Sequence, residues 1–163
     1  FDQLLAAAAQ AGVNKRAVTG ESTQQPAGPK HPDAIEALEA GDLDRAAQVY
    51  QDALNETPGD EEAKSGLARV ELLRRTRGKD LAEVRARAAA DPSDVDAALE
   101  CADLDISGGH VDDAFARLIA TLTKVAGDDK ERVRKRILEL FEAVGPSDPR
   151  VTQARGKLMR ALF

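Results

Sequence analysis

Small residues return along this chain at one fixed interval. In GDLDRAAQVYQDALNETPGD, residues 41–60, Ala46 and Ala53 are seven apart with Tyr50 between them, and Pro58 follows five residues later. Pro58 and Pro92 are 34 residues apart, and Gly41 and Gly109 are 68 apart, twice that period. At the double offset GDLDRAAQVYQDAL lies over GHVDDAFARLIATL, so that Leu43 meets Val111, Asp44 meets Asp112, Ala46 meets Ala114 and Leu54 meets Leu122. Within the middle period Ala63, Leu67 and Ala68 fall over Ala97, Cys101 and Ala102. Such self-similarity marks a stack of like units, each burying its apolar face on the next.

Each unit reads as a pair of helices. Alanine and leucine dominate the apolar residues, aromatics are 3% of the chain and Trp is absent. Alanine is the best helix former and Leu, Arg and Glu follow closely. Turn signals separate the candidate helices 32–40, 43–57, 60–77, 81–90, 93–107, 111–126, 128–144 and 149–162. Gly tolerates the left-handed conformation past a helix end, and Pro cannot continue a helix. Asp128 with Glu131 suggests a capping box, and Asp148–Pro149 a cap followed by proline at the first helical position. Ala46 and Ala114 are expected where helices cross closely, and Tyr50 is expected to fill the space beneath the next turn.

A 34-residue helix–turn–helix period with Gly, Ala, Tyr, Ala and Pro in these slots resembles the tetratricopeptide repeat. The resemblance implies an all-α fold of helix–turn–helix repeats in a short right-handed superhelix. The pattern is fullest at 41–60 and 109–123. In the middle repeat Asp80 and Arg87 stand where small residues belong, and Ala126 replaces the proline of the third. Upstream, residues 1–13 read as a helix and 14–31, with two Gly, two Pro and many polar residues, as a flexible linker. Residues 32–163 form the expected repeat domain.

Composition narrows function. The formal net charge of −6 disfavours sequence-independent nucleic-acid binding, which needs Lys and Arg against phosphates. No apolar run approaches the roughly 20 residues that span a bilayer. Cys101 is the single cysteine and is expected as a small core residue, since its neighbours Glu100, Asp103 and Asp105 are acidic and a reactive thiol needs an electropositive setting. His31 and His110 make no metal-ligand spacing with it. No phosphate loop, nucleophile elbow or zinc-protease motif is present. The chain reads as a non-enzyme with no cofactor and no metal.

Two charge blocks remain. Residues 93–113 carry seven acids and no Lys or Arg, and residues 69–87 carry seven basic residues against three acids. In a tetratricopeptide superhelix the first helix of each repeat lines a concave groove. Slot mapping places Asp96, Glu100 and Asp103 on that groove, with Arg69 beside them. Mainly acidic, it suits a basic or unfolded segment better than an acidic peptide tail. In the last helix Val151, Ala154, Leu158 and Leu162 make one apolar stripe. Met159 and Phe163 lie off it by roughly 80–120° at about 100° per residue. Among Arg155, Lys157 and Arg160 they read as a docking edge.

The order of these pieces is more specific than the repeat. The hairpin GDLDRAAQVYQDAL, the middle RARAAADPSDVDAALECADLDISGGHVDDAFARLI and the ending LELFEAVGPSDPRVTQARGKLMRALF resemble the C-terminal repeat region of thioredoxin-like co-chaperones of the YbbN/CnoX type. FDQLLAAAAQA resembles the final helix of the thioredoxin fold that precedes that region. The resemblance implies a cytoplasmic bacterial protein that holds non-native clients and docks to the chaperonin through its last helix. Carried over by residue, docking falls on Arg155, Leu158, Met159, Leu162 and Phe163. Other functions compatible with the repeats are a scaffold for one defined protein partner and a positioning domain of a thioredoxin-type oxidoreductase.

Overall fold

A computed structural model describes residues 29–163, of which His31–Phe163 form one compact unit. The expected helix over 1–13 and most of the 14–31 linker lie outside the described residues. Those described form eight helices: α1 Pro32–Glu39, α2 Leu43–Glu56, α3 Glu61–Thr76, α4 Leu81–Ala90, α5 Val95–Ser107, α6 Val111–Leu122, α7 Gly127–Val144 and α8 Pro149–Leu162. No strand occurs among the described residues. This is the all-α, repeat-type fold that the periodicity implies.

Short polar caps fix the helix starts. Asp42, Asp60, Asp80 and Asp94 each accept a hydrogen bond from the backbone amide three residues on, which satisfies an otherwise orphaned donor. Asp148 accepts from the Arg150 amide, with Pro149 at the first helical position as expected. The capping box at Asp128 does not form: Ala126 precedes α7 and no side chain caps it. Helix α6 also stops at Leu122 rather than 126. There the Thr121 and Thr123 hydroxyls donate to the carbonyls of Arg117 and Ala120, local bonds that compete with helix continuation, and Val125 turns in against the core.

The front of the domain packs α1 on α2 and α2 on α3. Ala34, Ala37, Ala46 and Ala63 are fully buried there, so the helices can approach closely. Tyr50 crosses to α3 at Gly66, where an added Cβ would lie 2.4 Å from the ring Cζ. The ring fills the space beneath the next turn, as its slot requires. His31 closes this end: its Nε2 lies 2.8 Å from Asp60 Oδ2 and its ring meets Tyr50 edge-on at 5.8 Å.

The rear is larger. One core cluster joins α3, α5, α6, α7 and α8 around Phe115, Leu118, Ile137, Leu140 and Phe141. The two Phe rings are 5.0 Å apart, a tilted pairing favoured for aromatic rings. Cys101 is fully buried beside Val84, Ala88 and Leu104, the core place its slot predicts, and burial pushes its thiol pKa up. In the middle repeat, α4 packs on α5 rather than on α3. The degenerate slots Asp80 and Arg87 account for this: the first caps α4 and the second reaches Glu100 at the surface, so neither offers the small contact that a tight α3–α4 hairpin needs. Long α7 packs on α3 and α5 as well as on α6. It therefore covers the two first helices whose faces line the groove in repeats of this class.

Candidate interaction site

The sequence points to two surfaces, the groove and the last helix. Around the groove, Asp103 comes from α5 and is 1% exposed. Arg75 Nε of α3 donates to its Oδ2 at 2.9 Å, and Arg136 Nη1 of α7 donates to the same oxygen. Arg75 also donates to Glu139 Oε1 at 3.1 Å. Burial raises the Asp103 pKa against the pull of Arg75 and Arg136. Burial also lowers the Arg136 pKa, while at Arg75 the carboxylates of Asp103 and Glu139 outweigh burial and raise it. A partly buried network of this kind is costly unless every member is satisfied.

The other groove residues are committed too. Glu100 Oε2 accepts from Arg87 at 2.6 Å and its Oε1 lies 3.3 Å from Lys79 Nζ. Asp96 pairs with Arg132 of α7. These residues line one small cavity, of about 260 Å³, with Arg75, Lys79, Arg132 and Arg136. Arg69 is not among them; its Nε donates to the Ala143 carbonyl of α7 at 3.1 Å. The structure thus brings Asp96, Glu100 and Asp103 together but not as an acidic opening. The basic segment opposite them is residues 130–136 of the chain's own α7, with Lys130, Arg132, Arg134, Lys135 and Arg136 against the single acid Glu131, although α7 as a whole also carries Asp128, Asp129, Glu139 and Glu142. The acidic and basic blocks read from the sequence face each other: Arg75 meets Asp103, Arg85 meets Asp105 and Arg87 meets Glu100. Arg132, Arg136 and Glu139 are what the slot mapping missed; their spacing on one face of α7 was the available signal.

The last helix divides as its stripe predicts. Val151, Ala154 and Leu158 are buried, Leu162 is half-buried, and Met159 and Phe163 are 58% and 95% exposed. Leu158 is therefore a core residue of α8 packed on α6, not an accessible contact. Arg155 lies with its guanidinium 5.5 Å from the centre of the Phe141 ring, and its Nη1 donates to the Pro146 carbonyl at 3.3 Å. It anchors α8 while its end stays exposed. Of the five residues expected to dock, Met159 and Phe163 present large apolar surface and Arg155 presents charge beside them.

These features define a helical-repeat protein that presents surfaces to other proteins. Tetratricopeptide-repeat models match residues 37–74 and 74–163, and the chain belongs to the tetratricopeptide-repeat family. It is 37% identical over 163 residues to an uncharacterized protein of Mycobacterium bovis and, to the same degree, to uncharacterized proteins of two Mycobacterium tuberculosis strains. The match covers 99% of this chain and 52% of each relative, so the chain spans about half the length of the curated relatives it matches. Among the described residues no helix is long and apolar enough to cross a membrane, and no group of His, Cys, Asp or Glu is placed to hold a metal ion.

Proposed function

We propose that this chain is the protein-interaction module of a cytoplasmic, thioredoxin-like co-chaperone that holds non-native clients and docks to the chaperonin through α8. The observation that carries the reading is the exposure of Met159 and Phe163 on a helix whose other apolar residues are packed inward. Methionine adapts to irregular apolar pockets, and an exposed apolar pair beside cations is the composition of a docking helix. The resemblance of the ending to the co-chaperone family points to the same helix.

Client holding would work by weak contacts at several places. Ile35, Leu73 and Leu138 are exposed on α1, α3 and α7. Non-native chains expose apolar surface that folded ones bury, so differential affinity follows from the hydrophobic effect. No covalent step is required of this chain.

The test is capture of purified bacterial chaperonin by the protein and by Met159→Asp/Phe163→Asp. The wild type should retain chaperonin, and the double variant should lose it while keeping its helical circular dichroism. Equal capture by both would remove α8 as the docking element. Capture by neither, with no suppression of model-client aggregation, would leave a scaffold for a single defined partner.

A further inference from the structure

Two glycines lie within helix interiors among the described residues, Gly66 in α3 and Gly156 in α8. Glycine there weakens a helix relative to alanine, so each position calls for a reason. At Gly66 the reason is internal, since Tyr50 occupies the space a Cβ would take. At Gly156 it is not. A Cβ would meet only the far end of Arg160, at an ordinary 3.7 Å.

Gly156 belongs to a second line on α8. Thr152, Gly156, Met159 and Phe163 follow at intervals of four, three and four, and fall within about 60° of one another at about 100° per residue. Arg155 and Arg160 flank the line on either side. Helix α8 carries Arg150, Arg155, Lys157 and Arg160 and no acid, in a chain of net charge −6. Lys157 and Arg160 have no ion-pair partner among the described residues.

We infer that this line is a docking ridge for a protein groove that is apolar at its base and rimmed by carboxylates, with the partner's main chain crossing α8 at Gly156. The inference rests on α8 being the docking helix and adds the chemistry of what it docks to. Met159 and Phe163 supply the apolar anchors. Short side chains at Thr152 and Gly156 let another backbone come close, a use to which glycine is suited. Arg155 and Arg160 present planar forks that match carboxylate geometry. The negative charge on the rest of the chain repels an extended anionic surface such as a nucleic acid or an acidic bilayer, whereas a groove with a few rim carboxylates meets α8 alone.

The experiment compares chaperonin affinity and melting temperature for the wild type, Gly156→Ala, Gly156→Leu, Arg160→Glu and Met159→Asp/Phe163→Asp, at low and high salt. Gly156→Ala should melt higher than the wild type and yet bind more weakly. Gly156→Leu should stay folded and bind about tenfold more weakly or worse, the scale of one lost interface anchor. Arg160→Glu and high salt should each weaken binding. A glycine kept for internal packing would instead lose stability when substituted. Unchanged affinity in both Gly156 variants, with loss in the Met159/Phe163 variant, overturns the ridge and leaves α8 docking intact. Salt-independent binding overturns the carboxylate rim. Absence of wild-type binding removes the docking reading and this inference with it.

Discussion

The front hairpin and the closing pair solve the same packing problem with different remainders. In α1–α3 each small residue answers to a neighbour inside the molecule: Ala34, Ala37, Ala46 and Ala63 let helices cross, and Gly66 makes room for Tyr50. In α7–α8 the inward stripe is equally complete, from Val133 to Leu158. What is left over on α8 is Gly156, Met159 and Phe163, none with an internal reason for its size or exposure. Residues explained from within hold the fold, and the residues unexplained from within are the ones the proposed docking ridge uses.

The largest effect is expected at Asp103, which holds α3, α5 and α7 together. Asp103→Ala leaves Arg75 and Arg136 with Glu139 as their remaining carboxylate and should cost about 2–3 kcal/mol in urea denaturation, the scale of lost hydrogen bonds to charged groups. If its stability matched that of the wild type, α7 would not be held by this network. Gly66→Ala comes next. Its Cβ collides with the Tyr50 ring, and overpacking of this kind costs about 1–3 kcal/mol. Gly156→Ala should move the other way, adding about 0.5–1 kcal/mol. Parallel thermal melts of these two variants test the contrast directly, and a shift of the same sign in both would erase it.

The smallest effect is electrostatic. Hydrogen bonds from the Arg150 side chain and backbone hold the Asp148 carboxyl down at about 2, against an ordinary 3.8. Since the folded value is the lower one, this cap adds stability that is present above pH 3.8 and is lost as pH falls towards 2. Arg150→Ala should raise the Asp148 midpoint in an NMR titration. An unmoved midpoint would mean that the cap geometry at the start of α8 is set by something else.

Much of this was legible in the sequence, for physical reasons. A repeat period fixes which residues must be small, so the places of Ala46, Ala114, Cys101 and Tyr50 could be read from spacing alone. The split of α8 into a buried stripe and an exposed Met159/Phe163 edge followed from helical geometry. Other features depend on contacts distant in sequence. Slot mapping treats each repeat as ideal, so it placed Asp103 in an open groove. It could not know that α7 would lie across α3 and α5 and bring Arg136 to that carboxylate. The early end of α6 depends on the competing bonds of Thr121 and Thr123, and the missing capping box on Ala126 taking the position before the helix. The two opposed charge blocks were visible as composition. Their mutual neutralisation is a property of the packing of α3 and α4 on α5.

Helix α7 fills the chain's own groove, and α8 is proposed to offer its far side to a partner. Amide hydrogen exchange, read with and without chaperonin, tests both at once. New protection is expected only over residues 152–163, with α3 and α5 unchanged from their already protected state. Protection gained along α3 and α5, with α8 unaffected, would contradict this and return the binding site to the groove.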